Sequence, residues 1–429
     1  MRILILSSEA WNDRINGNNV VSNWFSGFDA EFANIYMSAG EPYNHCCKKY
    51  FQLTETAMLK SITKGILAGR IVEVEDYYSQ DHGADAVPTK LYSMLRHVSG
   101  PFLRFIREEL WLRGKYNMEL LKSFIDDFKP DIIFSERMAS CKMLRLERTV
   151  LNICDVPMFA FTGDDEYSLK RLSFSPLFWF NRFRVRYMLR QMVSEYRIYY
   201  TLSYEQKVDY ETRFGCKCKL LQKCADMPTE YSPCLVHQPI RMIYAGKFYC
   251  NRWKALVEIA DILRVINRDE VRIVLEIYTR DLPNKKQKRL LNDGRSSFIK
   301  GAVSQEELKE IYKDSDIAIH VESRDIKNRL VTRLSFSTKI IDCIESGCAI
   351  LAYCWNKHSG WTYLKRENAA VCVSSLSELR EGINSLVNHP EIIEEYARRA
   401  YECGIRRHRR ECIQKMLKDD FEQAIMPLK

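Results

Sequence analysis

The stretch that decides the fold is residues 333–352, which reads R-L-S-F-S-T-K-I-I-D-C-I-E-S-G-C-A-I-L-A. It opens with small polar residues and continues as an apolar-periodic segment in which Ile340, Ile341 and Ile344 share one helix face. Gly347 is placed to end that helix, and a run typical of a buried strand follows it. Loop, helix, glycine and strand in this order predict one half of a βαβ unit.

The start of this predicted helix has two interpretations. The first is a phosphate site, because a helix N-terminus offers unpaired N–H groups and a positive dipole end, here flanked by hydroxyls and Lys339. The second is an ordinary core helix with a serine or threonine N-cap. Residues elsewhere in the chain are needed to choose between them.

Composition sets the broad class of protein. The 429 residues exceed one typical core, so two domains are expected, and 46% hydrophobic with 28% charged residues is ordinary globular composition. The 15 cysteines are scattered without the spacing of zinc knuckles, which favours reduced cytosolic thiols over a disulfide scaffold. The sequence shows neither a signal-peptide pattern nor an apolar run of membrane-spanning length, so we expect a cytoplasmic protein.

The basic character of the chain is most concentrated in residues 174–192, F-S-P-L-F-W-F-N-R-F-R-V-R-Y-M-L-R-Q-M. The net charge of +9 suits an acidic partner, which is a nucleotide, a nucleic acid or an anionic membrane surface. The segment interleaves arginines with aromatic residues and has no acidic residue. It fits a core helix whose arginines reach solvent, a helix in the headgroup zone of a bilayer, or a surface that stacks on single-stranded nucleic acid.

Alternation of helices with short apolar strands predicts an α/β fold made of two Rossmann-like doubly wound domains. We place the first domain at residues 1–225 and a proline-punctuated linker at residues 226–240. The second domain follows at residues 241–400, and a basic helix at residues 401–429 is expected to return to the first domain. Two such domains are expected to face a cleft, which is where a small ligand should bind.

The first domain offers two polar loops at the expected carboxyl edge of its sheet. Residues 2–8 read as a buried parallel strand, and the loop after it holds Gly17, Asn18 and Asn19. A later strand ends in a small polar cluster that contains Asp164 and Asp165. Gly17 is a lone glycine outside any G-x-G-x-x-G pattern, so a dinucleotide cofactor is not supported.

In the second domain, three features should converge at the carboxyl edge. Lys247 and Arg252 lie beside Gly246, and two cations at a glycine turn can neutralise a diphosphate. His320 and Glu322 follow a later strand, and the Ser-Phe-Ser-Thr loop with its helix comes after them. A structural interpretation is also open for each feature. Lys247 and Arg252 would then be solvated surface charges, and His320 would be a histidine at a strand end with its ring hydrogen bonds made inside the protein.

The second domain resembles the donor half of a GT-B-fold glycosyltransferase of the retaining, family-4-like group. That family has a G-R-L motif followed by a lysine, and its cations hold the donor diphosphate. Here the motif reads Gly246, Lys247, Phe248 and Arg252, with arginine and lysine exchanged. The variant H-V-E-S with R-L-S-F-S-T-K-I-x-D resembles a subgroup found in bacterial surface-polysaccharide (capsule) clusters.

Alignment on the family's A-x-G-x-P-V-I ending gives further correspondences. Asp342 falls on the glutamate that binds ribose in the family, and Phe336 with Ser337 falls on a Phe-Gly pair whose amides meet sugar and phosphate. Leu334 stands where the family has its first glutamate, which is a departure. Glu322 is the upstream substitute, separated from this stretch by an expected extra loop.

The resemblance implies a hexosyltransferase-type enzyme. It would move a sugar from a nucleotide diphosphate sugar to a lipid-linked saccharide acceptor, with retention, without a metal and without a further cofactor. It implies partners of three kinds, the nucleotide sugar, the saccharide acceptor and an anionic membrane surface on the inner face of the plasma membrane. The alternatives are a non-catalytic GT-B partner protein and a basic nucleic-acid-binding protein.

The expected site residues form three groups. Donor-binding residues are Gly246, Lys247, Arg252, Glu322, Ser335, Phe336, Ser337, Thr338, Lys339 and Asp342. Catalytic candidates are Asp164, Asp165 and His320, and acceptor-side candidates are Gly17, Asn18 and Asn19. No metal ligands are expected.

Overall fold

A computed structural model describes residues 1–14, 19–73, 100–138, 140–233 and 235–426. Two compact units are present, and each contains a mostly parallel sheet with helices. The first consists of Met1–Leu202, Gln206–Leu221 and Gln414–Lys429, and the second of Ser203–Glu205 and Gln222–Ile413. The predicted fold class, α/β with two Rossmann-like domains, is confirmed. The domain boundaries drawn from the sequence stay a prediction.

The first unit is built on an eight-stranded sheet of order β4-β3-β2-β1-β5-β6-β7-β8, in which only the β3–β4 pair is antiparallel among the described strands. The strands are β1 Arg2–Ser7, β2 Glu31–Tyr36, β3 Cys47–Gln52, β4 Arg70–Glu73, β5 Ile132–Arg137, β6 Met158–Thr162, β7 Tyr196–Thr201 and β8 Cys218–Leu220. The helices are α1 Asn19–Phe25, α2 Glu55–Thr63, α3 Pro101–Arg113, α4 Met118–Phe128, α5 Cys141–Leu151, α6 Pro176–Met192 and α7 Tyr204–Phe214.

The second unit has a six-stranded sheet of order β11-β10-β9-β12-β13-β14, with parallel pairing throughout the described strands. The strands are β9 Ile240–Ala245, β10 Ile273–Tyr278, β11 Ser297–Gly301, β12 Ile317–Val321, β13 Ala349–Tyr353 and β14 Val371–Val373. The helices are α8 Arg252–Ile266, α9 Lys285–Leu291, α10 Gln305–Lys313, α11 Ile326–Thr332, α12 Lys339–Glu345, α13 Ser359–Arg366, α14 Leu376–Asn388, α15 Glu391–Arg407 and α16 Arg410–Ile425, whose residues from Gln414 belong to the first unit.

The stretch at residues 333–352 folds as its pattern predicts. The helix α12 buries Ile340, Ile341 and Ile344, and Gly347 adopts a φ of 80°, a left-handed conformation that suits glycine after a helix. The strand β13 is buried along its whole length and pairs in parallel with β12. One expectation here is wrong. The extra loop before this stretch contains the helix α11, because the Asp325 side chain accepts a hydrogen bond from the Asn328 N–H and caps it.

The arginines of α6 bind other groups of the same unit, although Arg190 is also exposed to solvent. The guanidinium of Arg182 donates to the carbonyl oxygen of Ser168 at 2.7 Å. Arg184 donates to the carboxylate of Glu109. Arg186 donates to the carbonyl oxygen of Tyr167, and Arg190 donates to the hydroxyl of the same tyrosine. The exposed side chains of α6 include three aromatic ones, since Phe180, Phe183 and Tyr187 are 53%, 54% and 65% exposed. Arg190 and Gln191 are exposed as well. The helix buries Val185, Leu189 and Met192, and the three interpretations of this segment stay predictions.

Across the described part of the chain, no helix has both the length and the apolar character needed to cross a bilayer.

Candidate functional site

The candidate site lies at the carboxyl ends of β9 and β12 in the second unit, beside the start of α12. A small cavity there brings together residues from four parts of the sequence. Its lining is Tyr244, Ala245, Arg252, Tyr312, Ile319, His320, Val321, Ser337, Lys339 and Cys343. Arg252, one of the two cations expected after β9, and Ser337 and Lys339, from the turn before α12, therefore share one hollow.

At Gly246 the side chain of Lys339 comes close to the backbone at the end of β9. The Lys339 ammonium donates a hydrogen bond to the carbonyl oxygen of Ala245 at 2.6 Å. A Cβ atom on residue 246 would collide with that ammonium nitrogen and would lie 2.8 Å from the hydroxyl oxygen of Tyr244. The Tyr244 hydroxyl in turn donates to the carbonyl oxygen of Lys247 at 2.8 Å. Glycine is thus required here for Lys339 to reach the end of β9.

The cations around Gly246 repel one another. Burial, together with the positive charges of Arg252 and Lys247, lowers the pKa of Lys339 to about 8 against the opposing effect of Asp342. Lys247 itself is exposed. A cluster of cations that depresses its own protonation is stabilised by an anion, so the site is suited to a phosphate group.

Arg252 is held by a buried carboxylate. Its Nη2 and Nε donate to the two carboxylate oxygens of Glu322 at 2.6 and 3.0 Å. The Glu322 side chain is 2% exposed, and burial is the largest influence and would raise its pKa. Arg252, with smaller contributions from His358 and His320, reverses this effect, so that the pKa is lowered. Arg252 opens α8 directly after Cys250 and Asn251, which both have positive φ. This pair fixes the guanidinium at the cavity and occupies Glu322, the expected upstream contact to the donor sugar.

His320 is a neutral, buried imidazole at this cavity. Burial lowers its pKa to about 3, so the ring is uncharged at neutral pH. The residue is 4% exposed, and the Nε2 atom of its ring has no hydrogen-bond partner. An uncharged ring with an open nitrogen can donate or accept one hydrogen bond to a ligand.

Two residues near His320 were not anticipated from the sequence. His358 lies with its ring centroid 6.2 Å from that of His320, and its Nδ1 accepts a hydrogen bond from the Gly360 N–H at 3.1 Å. A Cβ atom on Gly360 would lie 3.2 Å from the Nε2 of His320. The signal that could have found them is their position, because the N-K-H-S-G segment follows β13 at the same sheet edge.

The remaining donor-side candidates have mainly structural contacts in the second unit. The Phe336 ring packs edge-on against Tyr363 with centroids 5.1 Å apart, and the Asp342 carboxylate pairs with Lys223. Ser335 donates its N–H to the carbonyl oxygen of Thr332 at 2.9 Å, and Thr338 precedes α12 without a side-chain cap. Their expected contacts to ribose, sugar and phosphate stay predictions.

The catalytic candidates Asp164 and Asp165 belong to the first unit. Asp165 is 1% exposed, and its carboxylate accepts hydrogen bonds from the Ser168 N–H and hydroxyl at 2.8 and 2.5 Å. Arg182 lies 3.4 Å from the same carboxylate. This carboxylate holds the turn after β6 against α6. The carbonyl oxygen of Asp164 accepts from the Gln206 side chain at 2.7 Å.

The acceptor-side candidates are largely outside the described residues. Gly17 and Asn18 fall in the gap between residues 14 and 19, and Asn19 begins α1. Within the described ranges, no group of three or more histidine, cysteine, aspartate or glutamate side chains is arranged to hold a metal ion.

Two Rossmann-like units, with a cationic cavity at the carboxyl edge of the second, are the architecture of the GT-B class of proteins. Residues 261–417 match the family described as "Glycosyl transferase-like". No curated protein matches the sequence significantly.

Solved structures match the whole chain. HepE from Anabaena in complex with UDP has a TM-score of 0.63 and 10% identity, over 99% of this chain and 100% of that one. Sucrose-phosphate synthase from Thermosynechococcus elongatus has a TM-score of 0.61 and 12% identity, over 98% of each chain. The E. coli "trehalose-6-phosphate" structure bound with UDP-2-fluoro glucose has a TM-score of 0.61 and 9% identity, over 99% of each chain. At these identities the likeness establishes the fold.

Proposed function

We propose that this protein is a glycosyltransferase that takes a sugar from a nucleotide diphosphate sugar bound in the second unit. The observation that carries the proposal is the meeting of Lys339 with the Gly246 turn and Arg252 at one cavity. The match of residues 261–417 to the glycosyl transferase-like family supports it. The similar HepE structures, described in complex with UDP and with UDP-glucose, favour a uridine nucleotide.

In the proposed reaction, the bond between the sugar and the diphosphate breaks and negative charge develops on the departing diphosphate. Lys339 and Lys247 carry charges that no described carboxylate binds by an ion pair, and they are the groups that would stabilise the diphosphate. Arg252, fixed by Glu322, adds directed N–H donors. Three cations supply positive charge without a metal, so we propose metal-independent transfer.

The neutral His320 ring is the proposed contact to the transferred sugar. Because its pKa is lowered to about 3, it would act as a hydrogen-bonding group and not as a charged acid. Retention of configuration and hexose transfer follow from the family resemblance. We assign no protein nucleophile.

We further propose a membrane-bound, lipid-linked saccharide acceptor in cell-surface polysaccharide synthesis. The supporting feature is the surface of α6, where Phe180, Phe183 and Tyr187 are exposed and Phe174 precedes them with full exposure. Aromatic rings favour the interfacial zone of a bilayer. Because the α6 arginines are engaged inside the unit, binding should depend on insertion of rings more than on lipid charge.

The membrane proposal is tested by sedimentation with vesicles. Wild type should pellet with vesicles of phosphatidylcholine and phosphatidylglycerol, and binding should persist at raised salt. The triple variant Phe180→Ser, Phe183→Ser and Tyr187→Ser should stay in the supernatant. Equal pelleting of the variant, or no pelleting of wild type, contradicts the proposal.

The nucleotide proposal is tested by thermal shift across UDP, GDP, ADP and CMP, since a ligand that binds only the folded state raises the melting temperature. UDP should raise it most in wild type and little in Lys339→Ala. Lys313→Ala, which alters an exposed lysine of the same unit, is the matched control. A shift by UDP that is unchanged in Lys339→Ala overturns the assignment of the site.

Binding experiments on the same purified protein distinguish two alternative functions from the proposed one. A non-catalytic GT-B partner, which the leucine at position 334 favours, would bind UDP-sugar without releasing UDP in the presence or absence of acceptors. A nucleic-acid-binding protein would bind oligonucleotides with an affinity that falls steeply with salt.

A further inference from the structure

The sheet of the first unit changes direction between β1 and β5. From β1 the chain continues to β2 on one side, and later it returns to place β5 on the other side. In an open α/β sheet, ligands bind outside the carboxyl ends of the strands at such a point. The last paired residues there are Ser7 on β1 and Glu136 on β5.

Glu136 differs from the other buried carboxylates of this unit. Glu147 accepts hydrogen bonds from Ser135 and Tyr196, each at 2.6 Å, and Glu166 accepts one from Arg137 at 2.6 Å. The half-buried carboxyl of Glu136 has no hydrogen bond or ion pair with any described residue. Its acidic neighbour is Glu9, immediately beyond the end of β1. A half-buried carboxyl without a partner is an open polar group.

Ser8 is a second open group at the same edge. It follows the last residue of β1, is 5% exposed, and its hydroxyl has no hydrogen-bond partner. On the neighbouring strand β2, the side-chain N–H of Asn34 donates to the Ser7 hydroxyl at 3.0 Å, whereas its side-chain oxygen has no partner. Buried polar groups are normally satisfied, and leaving one unpaired costs free energy, so a bound ligand or water is expected to supply the missing bonds.

The open groups are uncharged at neutral pH. Burial and, to a smaller extent, the negative charge of Glu9 raise the pKa of Glu136 to about 8, so its carboxyl is mostly protonated at pH 7. A protonated carboxyl and a serine hydroxyl each donate one hydrogen bond and accept others. Such groups suit the hydroxyls of a neutral ligand and give no charge attraction to phosphate. The cationic cavity of the second unit has the opposite character.

We propose that Glu136 and Ser8 bind a hydroxyl group of a neutral saccharide at the carboxyl edge of the first unit. This saccharide would be the acceptor of the proposed transfer, and that role rests on the proposed function. Binding of the saccharide itself needs no nucleotide. The proposed site does not include Asp165, because the carboxylate of Asp165 already accepts hydrogen bonds from Ser168.

The test is saturation-transfer NMR on the full-length protein with glucose, galactose, N-acetylglucosamine and maltose as probes. At least one probe should bind wild type at pH 7, and Ser8→Ala and Glu136→Ala should weaken its affinity tenfold or more. Glu136→Gln keeps a neutral donor and acceptor and should retain binding. Affinity should fall above pH 8 in wild type and stay level in Glu136→Gln, a readout that a merely structural role would not move.

Controls separate this proposal from the nucleotide site. Glu31→Ala removes an exposed carboxylate at the opposite end of a strand in the same sheet and should bind the probe as wild type does. Lys339→Ala should lose UDP binding and keep saccharide binding. The saccharide test can therefore be interpreted even if the protein turns out not to bind UDP. If none of the four probes binds wild type, or if Ser8→Ala and Glu136→Ala both bind the probe as tightly as wild type does, the proposal is wrong.

Discussion

The carboxyl edges of the two sheets have the same architecture and opposite chemistry. In the second unit, Lys339 and Arg252 bring positive charge to the end of β9, and a buried carboxylate holds one of them. In the first unit, Glu136 and Ser8 are open groups without an opposite charge. The comparison teaches that strand order places a binding edge, whereas the few side chains on it decide whether the ligand is an anion or a neutral molecule.

The largest expected effect is on stability at the charged edge. Arg252→Ala leaves the Glu322 carboxylate buried without its partner, which should cost about 3 kcal/mol of folding free energy. Urea titration measures this loss. The double variant Arg252→Met with Glu322→Leu should recover most of it, because no buried charge remains. If the single variant is as stable as wild type, the charged edge does not depend on this pair.

Next in size is the effect of a single methyl group at the glycine turn. Gly246→Ala should weaken UDP binding about tenfold or more, because the new Cβ displaces the Lys339 ammonium and one charge-assisted contact is lost. Isothermal titration calorimetry measures the affinity. The fold should survive, since the groups that must move are the end of the flexible Lys339 side chain and the hydroxyl end of the Tyr244 ring. Gly382→Ala in α14 serves to gauge the general cost of the exchange, because its new Cβ would make only ordinary contacts, at 3.4 Å to Val373 and 3.7 Å to Val371.

The charged edge should also lose its ligand as pH rises. The pKa of Lys339 is lowered to about 8, so the protonated form that attracts phosphate is present below pH 8 and disappears above it. UDP affinity should therefore fall about tenfold between pH 7 and pH 9. Lys339→Arg keeps the charge and should show a nearly flat profile. A falling profile that Lys339→Arg shares with wild type would point to another group.

The smallest effect is expected at the neutral edge, and it has a defined sign. The pKa of Glu136 is raised to about 8 from an ordinary value near 4.5, so the folded state holds a proton that the unfolded state has released between those values. Stability from this group is present below pH 4.5 and is lost as pH rises to 8. Glu136→Gln removes the penalty and should raise the melting temperature by about 5 °C at pH 9. At pH 4.5 the wild type and Glu136→Gln should have the same melting temperature. A difference in melting temperature that is equal at pH 4.5 and pH 9 contradicts the raised pKa.

The fold could be predicted because its signals are local. The apolar periodicity of α12, Gly347 after it and the apolar run of β13 are all read within twenty residues. The capping box of Ser304 and Glu307 is equally local, and the structure contains it.

The candidate site was only partly predictable because its contacts are long-range. Lys339 was expected on a phosphate turn, but its bond to the Ala245 carbonyl joins residues 94 positions apart. Glu136 looks in sequence like the polar residue of an ordinary strand, and its isolation appears only when β5 is set beside β1. Arg182 and Arg186 of α6 bind carbonyl oxygens, which no side-chain pattern reveals.

The most direct test of the account is calorimetric titration of UDP into wild type, Lys339→Ala and Glu136→Gln under one buffer. The account predicts that UDP binds wild type and Glu136→Gln with equal affinity and binds Lys339→Ala at least about tenfold more weakly. Equal affinity for wild type and Lys339→Ala, or no UDP binding by wild type, would contradict the claim that the cations at the end of β9 and the start of α12 hold a nucleotide diphosphate.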